Sequence, residues 1–246
     1  MVGRKKVSIM TGAGVSVASG IPTYRCKDGF WLGEKKYAHE SEPKEICTYE
    51  YFNKNPMATW ELYCDFYKLM ADREVNNGHR AINKFMEHCV QSADGKQAFL
   101  MTQNIDGLHN KEIVNSQILS QAQDPRHNVN DDTRLAFTPW VYEVHGNAAY
   151  MHCTNEEEPH SHKMVKAPSL KDFEDAYAAA PEKRLTTEDG ITHNFCLVPK
   201  CEECGAPMKP HVMFFDESYN EHYYRRETID SFVQESDCLI VVGTAL

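Results

Sequence analysis

Val7-Ser8-Ile9-Met10-Thr11-Gly12-Ala13-Gly14-Val15-Ser16 is the stretch from which the rest of the chain is read. An apolar run delivered straight into Gly12-Ala13-Gly14 predicts a buried strand ending in a glycine-rich turn. In an open parallel sheet, ligands bind beyond the carboxyl ends of the strands, and such a turn lets backbone N–H groups approach a phosphate at a helix N-terminus. Val17 stands where the strict dinucleotide fingerprint requires a small residue, so the turn is not the signature of an ordinary hydride-transfer dehydrogenase.

Outward from this turn, further short apolar runs occur at Ala98 to Thr102, Trp140 to Val144, Val212 to Phe215 and Asp237 to Val242. Between them the spacing predicts helices from Asn55-Pro56 to about Arg73, from His79 to Gln91 and from Tyr219 to Gln234, the first opened by an Asn cap and a Pro at its first position. Strands alternating with helices imply an α/β chain, a Rossmann-like parallel sheet with helices on both faces. Residues 1–150 and 205–246 are expected to form that domain, with a small zinc-binding lobe at 151–204 and a polar surface insertion at 110–139.

Composition narrows the class. The chain has 246 residues, is 41% hydrophobic and 25% charged, and carries a net charge of −10, which lacks the basic footprint of a nucleic-acid binder and suits a basic protein substrate better. No apolar run approaches the roughly 18 residues of a membrane span, and the first strand is too brief for a secretory segment. Of nine cysteines, only Cys201 and Cys204 form a close pair, which favours thiols and a metal over a disulfide framework. An intracellular protein, cytoplasmic or nuclear, is expected.

Structural zinc takes four thiolate or imidazole ligands, commonly from two close pairs. Cys201 and Cys204 supply one pair. Cys153 is followed by Thr154, Asn155 and Glu156 rather than by a second cysteine, so the fourth ligand is open among His160, His162, His193 and Cys196.

Six stretches in order carry a resemblance to one family: Gly12 to Arg25, Thr102-Gln103-Asn104-Ile105-Asp106-Gly107-Leu108-His109, Val144-His145-Gly146, Cys201 to Gly205, Lys209-Pro210-His211-Val212-Met213-Phe214-Phe215-Asp216-Glu217, and Val242-Gly243-Thr244. The chain resembles the sirtuins, NAD-dependent protein-lysine deacylases. The resemblance implies NAD and zinc, with Gly12, Ala13, Gly14, Ser16, Ile21, Tyr24, Arg25, Gln103, Asn104, Ile105, Asp106, His145, Gly243 and Thr244 around the nucleotide. It gives Asn104 and Asp106 the nicotinamide carboxamide and makes His145 the general base for a ribose hydroxyl, work that suits an imidazole titrating near neutrality. Tyr24 would shield the reacting carbon from water.

For the acyl-lysine protein substrate, the resemblance implies Val212, Met213 and Phe215 along the acyl-lysine tunnel, with the peptide added as a strand. The nearest subgroup removes acidic acyl groups and reads the carboxylate with a Tyr and an Arg three residues later. Tyr63 matches, whereas Phe66 replaces the Arg. A neutral acyl group, acetyl or longer, is therefore expected. Asp216 replaces the family's glycine, Ala245 its serine, and the family's further C-terminal strands are expected to be missing after Leu246. The leading reading is a deacylase releasing nicotinamide and O-acyl-ADP-ribose. The alternatives are mono-ADP-ribosyl transfer or NAD hydrolysis at the same pocket, and a non-catalytic module that binds acyl-lysine or a protein partner.

Overall fold

The computed structural model describes residues 5–23, 45–93, 95–121, 140–155, 157, 163–179, 185–186, 192–193 and 197–244. In chain order, β1 (Lys6–Thr11) leads into a 3-10 helix (Ala13–Ser19), followed by α1 (Tyr49–Lys54), α2 (Pro56–Met70), α3 (Asn77–Gln91), β2 (Gln97–Thr102), α4 (Leu108–Val114), β3 (Val141–Glu143) and β4 (Gly146–Cys153). Then come β5 (Val165–Lys166), α5 (Leu170–Ala179), β6 (Leu185–Thr186), β7 (Thr192–His193), β8 (Met208–Val212), α6 (Glu221–Tyr224), α7 (Arg226–Gln234) and β9 (Cys238–Val242). The described residues fall into two compact units, one within Met1–Gly33, Arg73–Asn147 and Tyr219–Leu246, the other within Glu34–Asp72 and Ala148–Ser218.

The first unit is built on a four-stranded parallel sheet of order β3-β2-β1-β9. Successive residues of β2 face opposite ways. Ala98 and Leu100 join Ile9, Val141, Met86 and Cys89 of α3, and Ile113 of α4 in one core cluster. Phe99 and Met101 join Tyr142 with Ile229 and Phe232 of α7 in the other. Helices therefore cover both faces, which is why the central strands read as continuous apolar runs instead of alternating. Within 110–139, Ile113 and Leu119 are buried in the first cluster, and residues 122–139 lie outside the described residues.

In the second unit, a three-stranded sheet of order β5-β4-β8 is packed with α1, α2 and α5. Asn55 opens α2 by accepting the Ala58 N–H at 3.3 Å, with Pro56 in the first turn. The Trp60 indole of that helix donates to the Met208 carbonyl at 2.9 Å, and Phe173 of α5 lies 6.0 Å from Trp60 and 6.3 Å from Tyr67. These contacts bind residues 45–72 to the segment that carries the cysteines.

Three sequence expectations shift. The strand expected at Val212 to Phe215 is β8, Met208–Val212, and belongs to the second sheet. Its polar Lys209 and His211 are fully buried, so the apolar pattern that marks a strand is hidden. The helix expected from Tyr219 to Gln234 is two helices, broken at Arg225, whose φ of 58° is left-handed. Glu221 makes the break favourable by accepting the Thr228 N–H at 3.0 Å and the Thr228 hydroxyl at 2.6 Å, which caps the second helix from the first. The turn after β1 continues as a 3-10 helix, a form usually confined to runs of three or four residues.

Phe99 is fully buried, with its ring 4.4 Å from Tyr142 and 4.5 Å from Phe232. Phe99→Ala is expected to lower stability by about 3–5 kcal/mol in urea unfolding, the usual cost of emptying such a site.

Candidate active site

The ends of the parallel strands gather the candidate nucleotide residues on one unit. Gly12, Ala13, Gly14 and Ser16 follow β1, Gln103 to Asp106 follow β2, His145 follows β3, and Gly243 and Thr244 follow β9. The carboxyl edge of a parallel sheet is where α/β folds bind ligands. Tyr24 and Arg25 lie outside the described residues, and so do His160, His162 and Cys196.

The glycines serve a close backbone crossing. The Gly14 N–H donates to the Gly243 carbonyl at 2.8 Å, and the Gly12 N–H to Val242 at 3.1 Å. A Cβ on Gly12 would stand 2.6 Å from the Thr244 Cβ, and one on Gly14 2.8 Å from the Gly243 oxygen. Gly243 has φ of +66°, and a Cβ there would meet the Val15 nitrogen at 2.4 Å. With the Val15 N–H donated to Gly12 at 3.0 Å, three amides of the turn are already engaged within the fold. The glycines let the two segments pack backbone to backbone, and Thr244 donates its hydroxyl to Gln103 Oε1 at 2.7 Å.

Ser16 is the polar hub. Its hydroxyl donates to Asp106 Oδ2 at 2.7 Å and accepts from Asn104 Nδ2 at 3.1 Å. His79 Nε2 lies 3.5 Å from the same oxygen. His79 Nδ1 accepts the Asn76 N–H at 3.3 Å, so the proton sits on Nε2 and points at Ser16. Burial lowers the His79 pKa, keeping the ring neutral. A serine, a histidine and an aspartate thus meet, but the histidine donates and the serine proton goes directly to the carboxylate. That is the reverse of what an activated serine nucleophile needs, so the trio orients polar groups rather than attacks. Asp106 Oδ1 accepts the Leu108 N–H at 2.9 Å, ahead of α4, where Gly107 takes a φ of +70°.

His145 is half-buried. Its Nδ1 lies 3.0 Å from the Gln103 carbonyl oxygen, which can only accept, so the neutral ring carries its proton on Nδ1 and Nε2 is an acceptor. Burial depresses the His145 pKa against the opposing pull of that carbonyl. Two residues earlier, Glu143 is fully buried and accepts from Asn147 Nδ2 at 2.8 Å. Burial pushes its carboxyl up to about 8, so it is largely protonated at neutral pH. His79, Glu143 and Tyr219, whose hydroxyl lies 2.9 Å from His145 Nε2, are site residues that sequence reasoning did not single out. The capping position of His79 in Asn76-Asn77-Gly78-His79 was the only signal available.

The second unit holds the remaining candidates. Tyr63 is buried on α2, its hydroxyl bonded to the buried Cys47 thiol, and the Cys47 carbonyl accepts the Phe215 N–H at 2.9 Å. Phe66 is half-buried on the same helix, Val212 closes β8, and Phe215 is 51% exposed. Lys209, fully buried, donates to both Glu217 oxygens at 2.9 and 2.7 Å and to the Val212 carbonyl at 3.0 Å, fixing the turn that carries Met213 to Phe215. Asp216 caps α1 by accepting the Tyr49 and Glu50 N–H groups at 2.6 and 3.0 Å. Cys153, Cys201 and Cys204 have sulfurs within 4.8 Å of one another, with Cys153 and Cys204 at 3.5 Å. Sulfurs around a tetrahedral zinc with bonds near 2.3 Å lie about 3.8 Å apart, so the three fit one ion. His193 lies in β7.

A parallel α/β sheet with a polar site at its carboxyl edge, and a second unit holding a cluster of three cysteines, define a nucleotide-site fold accompanied by a candidate zinc centre. Residues 12–122 and 125–246 match the Sir2 family, and the chain belongs to it. It is 28% identical over 244 residues to the mitochondrial NAD-dependent protein deacylase sirtuin-5 of Danio rerio, covering 98% of this chain and 66% of that protein. It is also 28% identical over 239 residues to the NAD-dependent protein deacylase of Aquifex aeolicus, covering 96% and 71%. The crystal structure of a Sir2 homolog–NAD complex superposes with a TM-score of 0.61 at 24% identity, covering 98% of this chain and 68% of that one, a likeness of fold. The chain thus spans about two-thirds of the length of these relatives. Among the described residues, no helix is long and apolar enough to cross a membrane.

The raised Glu143 pKa has a sign. The folded state holds the proton up to about 8 while the unfolded state releases it near 4.5, so this residue's contribution to stability is full below 4.5 and is lost as pH rises toward 8. The melting temperature of the Glu143→Gln variant relative to wild type is expected to rise steadily across that interval and to level off above it, as followed by calorimetry.

Proposed function

We propose that the chain is an NAD-dependent protein-lysine deacylase. The observation that carries this reading is His145. It stands at a strand end with Nδ1–H on the Gln103 carbonyl and Nε2 as proton acceptor, on the sheet edge whose other strand ends carry Asn104, Asp106 and Thr244. NAD supplies the ADP-ribosyl group and nicotinamide as its leaving group, and the acyl chain ends on ADP-ribose. The residues fit that nucleotide: Asn104 and Asp106, following β2 at the carboxyl edge of the sheet, offer a donor and an acceptor matched to a carboxamide. Asn104 is held by Ser16, so its amide is oriented before the nucleotide arrives. His145 takes the proton of a ribose hydroxyl at Nε2, and its depressed pKa keeps that nitrogen unprotonated at neutral pH.

The acyl group proposed is neutral. Phe66 brings no charge to α2, and the Tyr63 hydroxyl is already bonded to Cys47, so an acidic acyl chain would bury its carboxylate without the bidentate partner it requires. Acyl-lysine in protein substrates is the proposed target, and zinc on Cys153, Cys201 and Cys204 is proposed to stabilise the second unit without entering the chemistry.

Nicotinamide release from NAD with acetyl-lysine peptide is expected, and His145→Ala is expected to lower kcat by at least about 100-fold, the usual weight of a general base. Acetyl-lysine should turn over faster than succinyl-lysine on the same peptide. Retained turnover in His145→Ala, or a preference for succinyl-lysine, would overturn the corresponding part of the reading. Native mass spectrometry is expected to show one zinc per chain, lost in Cys201→Ser together with a lower melting temperature.

A further inference from the structure

The group that faces the free nitrogen of His145 is a phenol. Tyr219 Oη lies 2.9 Å from Nε2, and the two rings are 6.0 Å apart at 26°. Because Nδ1 carries the proton, Nε2 can only accept, so the Tyr219 hydroxyl is the donor. The tyrosine is itself braced: the Arg226 guanidinium lies 5.5 Å from the centre of its ring, and Tyr224 meets it edge-on at 6.5 Å. Arg226 is bonded to Asp230 one turn on along α7. The groups facing the pair are the Gln103 carbonyl from the loop after β2, and Arg226, with its Asp230 partner, from α7. Tyr219 is 41% exposed, so its hydroxyl is within reach of an incoming substrate.

We propose that Tyr219 is a positioning residue for His145: its hydroxyl fixes the plane of the imidazole, whose tautomer the Gln103 carbonyl sets, and occupies the Nε2 lone pair until a substrate hydroxyl displaces it. This rests on the reading of His145 as the base. Three consequences follow from one hydrogen bond. The ring is fixed at both nitrogens, by the Gln103 carbonyl and by the phenol, so its plane and tautomer are set before substrate binds. A donor at Nε2 stabilises the neutral ring over the charged one, which keeps the base unprotonated to lower pH. The phenol oxygen also marks where an incoming hydroxyl must sit to deliver its proton, so substrate and tyrosine compete for one lone pair.

Tyr219→Phe removes the hydroxyl and keeps the ring under Arg226. The test follows kcat/KM against pH for NAD-dependent deacetylation in wild type, Tyr219→Phe and His145→Ala, together with ¹⁵N NMR titration of the His145 ring in wild type and Tyr219→Phe. Loss of one donor to the neutral ring is expected to raise the pH at which His145 titrates by about half to one pH unit. The acid limb of the rate profile should move up with it. An unchanged His145 titration in Tyr219→Phe overturns the proposal. Unimpaired turnover in His145→Ala overturns instead the assignment of the base. The NMR readout needs no turnover, so it decides the role of Tyr219 in either case.

Discussion

Two backbone segments meet at the ends of β1 and β9 more closely than side chains allow. The Gly14 N–H reaches the Gly243 carbonyl at 2.8 Å, and the gap on either side is too small for a single added carbon at Gly12, Gly14 or Gly243. This contact sets the direction in which the 3-10 helix leaves the sheet, and with it the position of Ser16. It also sends Thr244 across to Gln103. Parallel pairing of β1 with both β2 and β9 brings the three strand ends to one level, so residues far apart in sequence share one edge.

The polar network on that edge is ordered by which atoms can donate. Ser16 passes its only proton to Asp106 and receives from Asn104, while His79 is fixed as a donor by the Asn76 amide. The result is a set of neutral and anionic groups with assigned directions, suited to holding a planar amide rather than to generating a nucleophile. His145 has the opposite arrangement, with its proton anchored on the Gln103 carbonyl and its Nε2 accepting the Tyr219 hydroxyl. Burial lowers the pKa of both histidines and raises that of Glu143, so around neutral pH the imidazoles are mostly neutral and the glutamic acid is largely so.

In the second unit, polar groups also carry structure. Lys209 is enclosed completely and satisfied by Glu217 and the Val212 carbonyl, while Glu217 in addition accepts the Phe214 N–H at 2.6 Å. A buried pair of this kind fixes a turn geometry more than it adds stability. Asp216, a departure from the family's glycine, puts a carboxylate on the first turn of α1, where the helix dipole and two open N–H groups favour it.

The apolar runs at Val7 to Met10 and Ala98 to Thr102 were legible as buried strands, because a strand covered on both faces reads as a largely apolar run, and the run at Asp237 to Val242 was legible as a strand although β9 lies at the sheet edge with Cys238 and Leu239 exposed. The glycine turn, the Cys201 and Cys204 pair and the strand-end placement of Asn104, Asp106 and His145 were legible too, since each depends on residue type and local spacing. Strand β8 was not, because Lys209 and His211 are buried only by virtue of partners elsewhere in the fold. The break at Arg225 was hidden for a similar reason, since a helix cap supplied by Glu221 becomes visible only when the chain has turned back on itself. Sequence by itself determined the class of fold, the family and the residues at the strand ends, through periodicity and motif. Tertiary structure alone decided which nitrogen of each histidine holds the proton, that Ser16 is a hub and not a nucleophile, and that Tyr219 faces the base. Those depend on donor and acceptor atoms meeting across as many as 90 positions of sequence, a relation no local pattern encodes.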